Sequence, residues 1–183
     1  MFRWVRRALI VVALVVLVGG GLIALTSRPD LKNSRDDVDA RWVVLRPALD
    51  SRYALLAAAN DAVRSAGGPE REIVTGIDTA LREWRDDKRA SVPTQVDDAN
   101  ALEALGRRLA TSVTTSSRLN ATREVTQPTN RFRGATVPVT ANAFNRAVRD
   151  YEGARGGSLR RPIAALLGYR SIAAYDLPAG ATA

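Results

Sequence analysis

Between Arg7 and Arg28 the chain carries no charge, and from Ala8 to Leu25 it is apolar throughout (ALIVVALVVLVGGGLIAL). About 20 residues at 1.5 Å rise make a helix of roughly 30 Å, the hydrocarbon thickness of a bilayer. In lipid every backbone N–H and C=O must be satisfied within the segment, which leaves a helix as the conformation. The stretch 8–27 is therefore expected to be a transmembrane anchor behind a short basic tail, 1–7. A cleaved secretory signal is the alternative, and MFRWVRR is a fair basic leader for one. Against it, the apolar run exceeds the roughly 7–15 residues of a signal core, and Ala24-Leu25-Thr26 imitates a cleavage site poorly. Gly19-Gly20-Gly21 is tolerated in lipid and could admit a close helix neighbour. Trp4 stands where an interfacial aromatic belongs.

Charge gives a direction as well as a boundary. Arg3, Arg6 and Arg7 favour a cytoplasmic N-terminus by the positive-inside rule, with the rest of the chain outside. Arg28, Lys32, Arg35 and Arg41 oppose that on the other flank. The net charge is +8, and its excess lies late in the chain: from Arg118 onward ten arginines face four acids. Only Lys32 and Lys88 are lysines, an Arg-over-Lys bias that a GC-rich genome produces without any phosphate binding. There is no cysteine and no histidine. A disulfide framework, thiolate chemistry, lipoprotein processing, a Cys or His metal site and every His-dependent triad are thereby excluded.

Beyond a linker at 28–33 the apolar spacing is helical. Ser34-Arg35-Asp36-Asp37 reads as a capping box. Val38, Trp42, Leu45, Leu49, Tyr53, Leu56 and Val63 then recur at threes and fours to about Ser65. Pro47 falls inside this run and should kink or split it. Gly67-Gly68-Pro69 closes it and opens a second helix with the stripe Ile73, Ile77, Leu81 and Trp84. Thr94 with Asp97 forms another capping box. A third helix follows, with the stripe Leu102, Leu105, Leu109 and Val113, continuing as far as Arg123. From 125 to 140 the pattern dissolves around Pro128, Gly134 and Pro138 into a loop with a short extended piece. Helical spacing returns with Ala141, Phe144, Val148 and Tyr151, and a short segment from Pro162 to Leu167 stops at Gly168. No strand alternation persists. The expected class is all-α: an N-terminal transmembrane helix, then an elongated antiparallel bundle of three to four helices over 34–170, and an irregular tail at 171–183.

Nothing in the chain announces a reaction. The clusters Asp36-Asp37-Asp39, Asp86-Asp87 and Asp97-Asp98 are adjacent residues that diverge on a helix, and the first and third suit helix first turns. No metal and no cofactor is expected. None of the glycine groups follows a strand with phosphate-loop spacing. Trp42 and Trp84 lie on apolar stripes and read as core. The basic third contains Arg118, Arg123, Arg131, Arg133, Arg146, Arg149, Arg155, Arg160 and Arg161. These form either a solvated surface or an attraction for anionic lipid or an acidic envelope polymer. Nucleic acid ranks third, since no aromatic residues interleave and no recognition fold is visible.

DVDARWVVLRPALDSRYALL, with Trp42, Leu49, Arg52 and Leu55, resembles the first bundle segment of the LemA family. FNRAVRDYE (Phe144 to Glu152) is similar to the family's YNxAVxDYN motif through Asn145, Val148, Asp150 and Tyr151. RRPIAALLGY, with Gly168 before an aromatic, resembles its C-terminal segment, and Tyr175 falls where another aromatic is common. The chain departs from the family at LAAAN in place of IPNLV, and at Pro128 and Pro138 within what is usually one long helix. The resemblance implies a single-pass protein whose antiparallel bundle stands at the cell membrane, with no catalytic residues to carry over. It also implies an N-terminus outside, opposite to the flanking charge. Some relatives are associated with membrane organisation, including magnetosome formation. The expected function is a non-enzymatic scaffold with membrane lipid and another membrane or envelope protein as partners. Trp42, Leu49, Arg52, Phe144, Asn145, Val148, Tyr151 and Gly168 are the candidate partner or structural residues. Asn145, beside the apolar Phe144, is expected to bond Arg52 or a backbone group across the bundle.

Overall fold

The computed structural model describes residues 2–67, 71–156 and 160–176, with side-chain environments from Pro29 onward except at Arg160 and Ile163. Among the described residues every regular element is helical. They are α1 (Phe2–Ser65), α2 (Arg71–Asp86), a 3-10 turn (Asp87–Arg89), α3 (Val92–Thr115), α4 (Ser117–Asn120), α5 (Arg123–Gly134), α6 (Pro138–Arg155) and α7 (Arg160–Leu166). Cross-links set the directions. Trp84 reaches back to Asp50 and Asn60 to Val74, so α2 descends along α1. Trp42 meets Gln95 and Arg52 meets Glu103, so α3 ascends again. Arg118 meets Ala66, Arg52 meets Phe132 and Trp42 meets Phe144, so α5 and α6 descend as one broken column. The all-α bundle expected from the periodicity is what forms, in an up-down-up-down arrangement.

α1 differs from its sequence reading in three places. It runs without interruption from Phe2 to Ser65, so the stretch at 28–33 is helix rather than linker, and Leu31 within it is 1% exposed. Ser34 therefore sits in mid-helix and caps nothing. The nearby acids pair at helical spacing instead, Asp36 with Lys32 (3.1 Å), Asp39 with Arg35 (3.0 Å) and Asp37 with Arg41 (3.3 Å). Pro47 does not split the helix. It lies on the exposed face, where water can take up the carbonyl its missing N–H leaves free, while Leu45 and Leu49 on the inner face are fully buried. The stretch 8–27, expected to be an anchor, falls within this helix, in the part whose side chains lie outside the described environments. Among the described residues no helix is long and apolar enough to cross a membrane.

The core follows the predicted stripes. Val38, Trp42, Leu45, Leu49, Tyr53, Leu56 and Val63 of α1 pack against Ile73, Ile77 and Trp84 of α2, and Leu102, Leu109 and Val113 of α3. Trp84 lies edge-on to Trp42 (6.2 Å) and Tyr53 (5.0 Å), and Phe144 tilts against Trp42 (5.2 Å). The indole N–H groups are spent inside: Trp42 donates to Gln95 and Trp84 to Asp50, both at 2.8 Å. α3 begins earlier than predicted, with Ser91 rather than Thr94 at its N-cap and Pro93 in its first turn. It also ends earlier, at Thr115, because Ser116 turns extended (φ −84°, ψ 110°) and its hydroxyl accepts the Leu119 N–H to start α4. Gly68 and Pro69 lie outside the described residues.

The region 125–140 is mostly helix. Pro128 sits inside α5 without ending it, and the break is confined to 135–137. Pro138 is responsible: it cannot donate to the turn before it and pushes Val137 out of the helical region (φ −126°, ψ 46°). After α7, Gly168 takes a positive φ of 83°, which a side chain would strain, and the chain turns back as an extended strap, 169–176.

Candidate functional site

The α5–α6 break leaves carbonyls short of helical partners inside the bundle, with only a long 3.3 Å bond from the Ala135 N–H on that of Phe132, and Arg52 answers them. Its Nη1 donates to the carbonyls of Phe132 (2.8 Å) and Ala135 (2.5 Å). Its other edge grips Glu103 of α3 in a two-pronged pair, Nε to Oε1 at 2.6 Å and Nη2 to Oε2 at 2.8 Å. The guanidinium lies 4.3 Å from the Phe132 ring centre. Burial pulls the Arg52 guanidinium down, but the hydrogen bonds and charge of Glu103 outweigh it and hold the group above its ordinary value. Glu103 is 0% exposed and accepts a third bond, from the Tyr175 hydroxyl at 2.7 Å. Burial beside that carboxylate pushes the Tyr175 phenol far up. Tyr53, next to the cluster, is raised for the same first reason, and its hydroxyl donates to the Ala99 carbonyl at 3.1 Å. Gly106, one turn beyond Glu103, lets Phe132 close over the pair: a Cβ there would stand 2.5 Å from the ring.

Tyr175 belongs to the strap, and the strap lies between α3 and α6 held mostly by its main chain. Asn145 makes a matched pair with it, Nδ2 to the Tyr175 carbonyl (2.9 Å) and Oδ1 from the Tyr175 N–H (2.8 Å). From α3, Asn100 does the same one residue to either side, donating to the Ala174 carbonyl (3.0 Å) and accepting from the Asp176 N–H (2.7 Å). Lower down, Tyr151 donates to the Arg170 carbonyl (2.7 Å) and Arg155 to that of Tyr169 (3.1 Å). Glu152 accepts from Ser171 and from the Ile172 N–H, both at 2.9 Å. Ile172 and Tyr175 alone drive deeply inward. Chemically this is a peptide clasp: carboxamides that read both edges of an extended backbone, above a neutralised ion pair.

Of the sequence candidates, Arg52, Asn145 and Tyr151 converge on this clasp, and Gly168 makes the turn that feeds it. Trp42, Leu49, Phe144 and Val148 are buried core. Asn145 bonds a backbone group, that of Tyr175, and not Arg52. The basic residues do not act as one set. Arg118 closes the end of α1, donating to the carbonyls of Ala66 (2.8 Å) and Gly67 (2.7 Å). Arg155 is a buried member of the clasp. Arg123, Arg131, Arg133, Arg146, Arg149 and Arg161 are exposed, and the side chain of Arg160 lies outside the described environments. Sequence reasoning passed over Glu103, Asn100 and Gly106. The signal for Glu103 was its place on the third stripe, one residue after Leu102, where an unpaired charge could not remain buried.

No protein-family model, curated protein or solved structure matches the chain. The site is therefore read from its own chemistry. Two surface grooves accompany it: about 880 Å³ between α1 and α2, over Tyr53 and Trp84, and about 410 Å³ between α3 and α5, floored by Arg52 and Phe132. The acid clusters do not build ligand sets. Asp36 and Asp37 are in ion pairs in mid-helix, and Asp97 and Asp98 lie beyond the first turn of α3. The Asp98 carboxyl is held up by burial and by Asp87, Glu83 and Asp97 around it.

Proposed function

We propose that this chain is a single-pass, membrane-anchored helical-bundle protein of LemA type, acting without catalysis as a scaffold at the cell envelope. One observation carries the reading: α1 is a single helix from Phe2 to Ser65, so the uncharged stretch at 8–27 and the bundle core share one rod. An anchor joined this way holds the bundle at fixed height above the bilayer, which suits recruitment or spacing of membrane neighbours. Membrane lipid and another envelope protein are the partners that follow. The bundle faces outward on this reading, from the three arginines of the tail.

Alkaline carbonate extraction and a single cysteine test it together. The full chain should stay with the membrane pellet, and Ala183→Cys should react with an impermeant maleimide in intact cells. Release by carbonate would contradict the anchor. Reaction only after lysis would keep the anchor and reverse the direction, as the LemA resemblance implies. A second reading rests on the exposed arginines Arg123, Arg131, Arg133, Arg146 and Arg149, none of which is in an ion pair among the described residues. They supply an electrostatic surface for an anionic polymer or lipid, and vesicle binding through it should weaken steeply with salt.

A further inference from the structure

α6 runs antiparallel to α1, with Phe144 against Trp42 and the Tyr151 ring 6.0 Å from the Arg35 guanidinium. Seven residues forward on α6 are thus seven back on α1, which brings Arg155, at the end of α6, level with Leu31. α7 follows and packs on α1 and α6. It is pinned at that level from its far side too, since the Tyr169 N–H donates to the Ala164 carbonyl (2.9 Å) while its own carbonyl accepts from Arg155 (3.1 Å). Leu31 and Ala164, at 1% and 0% exposure, are covered as this packing requires. Leu31 lies four residues beyond Ser27, about 6 Å along a helix. That is about the depth of the headgroup layer on one side of a bilayer.

α7 presents an apolar tip at this height. Leu166 is 88% exposed and Leu167 beside it 37%. A single exposed leucine needs no explanation, but here two stand together, flanked by the exposed Arg161 and Arg170. Apolar side chains for the acyl boundary with guanidinium groups for phosphates are the chemistry of an interfacial element. The acids nearby do not cancel it: Glu152 is engaged by Arg155, Ser171 and Ile172, which leaves Asp30 exposed. We infer that α7 lies on the bilayer surface beside the anchor, with Leu166 and Leu167 dipped below the headgroups, a second membrane contact that fixes the tilt of the bundle. This rests on the anchored reading above.

Because the chain has no cysteine, single labels test it cleanly in the full-length protein in phosphatidylglycerol–phosphatidylcholine vesicles. Environment-sensitive probes go on Ala165→Cys beside the leucines, on Val43→Cys far up α1, and on Ala13→Cys within the anchor. The Ala165 probe should be several-fold less quenched by aqueous iodide than the Val43 probe, and quenched by spin-labelled lipid. Adding Leu166→Ser and Leu167→Ser should abolish both effects. An Ala165 probe as open to iodide as the Val43 probe, with the Ala13 probe protected, would overturn the α7 contact and leave the anchor standing. Iodide access at Ala13 would overturn both. Protection at Ala165 without lipid quenching would mean a protein neighbour covers α7, and would overturn the lipid contact.

Discussion

The Arg52–Glu103 pair takes two charges out of water, and the cost of that transfer is offset only while both remain. Glu103→Ala strands the Arg52 guanidinium and should lower stability by about 3–5 kcal/mol. Tyr175→Phe removes one hydrogen bond to the same carboxylate and should cost about 1.5–3 kcal/mol. Thermal unfolding of the full chain in detergent measures both; equal losses would contradict the assignment of Glu103 as the hub. The tyrosines give a pH signature. Tyr53 and Tyr175 are held above their ordinary value of 10.0 in the fold and ionise near it once unfolded. Their contribution is therefore complete below about pH 10 and declines as pH rises further, by up to about 1.4 kcal/mol per unit for each. The tyrosinate absorbance of these two residues, taken as the difference from the Tyr53→Phe and Tyr175→Phe variants, should rise together with unfolding, not ahead of it. Tyr151 was legible from its place on a helical stripe, and Arg52 and Asn145 through the segments that resemble the LemA family. Their partners were not, since Glu103 lies 51 residues from Arg52 and Tyr175 lies 30 from Asn145. Periodicity reports which face a residue occupies, not what meets it there.

At the scale of elements, local signals competed with packing and lost in predictable places. Ser34-Arg35-Asp36-Asp37 has the composition of a helix start, but a helix arriving from upstream removes the free N–H groups a cap would serve. Pro128 and Pro138 look alike in sequence. Only Pro138 coincides with a break, and there Arg52 takes up the carbonyls of Phe132 and Ala135. The strap shows no periodicity at all, being extended and read through its backbone, so it was legible only as an irregular tail. Its removal is the test at this scale. A chain ending at Gly168 loses the buried Ile172 and Tyr175 side chains and leaves Asn145 and Glu103 short of partners. At about 2–5 kcal/mol for each large buried side chain removed, this deletion should unfold the bundle or lower its melting point severely. An unchanged melting point would show that the strap is not part of the fold.

The whole molecule is organised by α1. Three other columns, α2, α3 and the α5–α6 pair, pack on or around its outer half, and its first 27 residues are basic and then uncharged. A continuous rod would keep the bundle from swinging on the proposed anchor, whereas a linker at 28–33 would let it swing. Paired nitroxides at Leu22→Cys and Val43→Cys in the otherwise cysteine-free chain decide this by pulsed dipolar spectroscopy in lipid. Twenty-one residues of unbroken helix predict one narrow distance near about 32 Å. A broad distribution, or one well short of that length, would contradict the single rod and the proposed scaffold built on it.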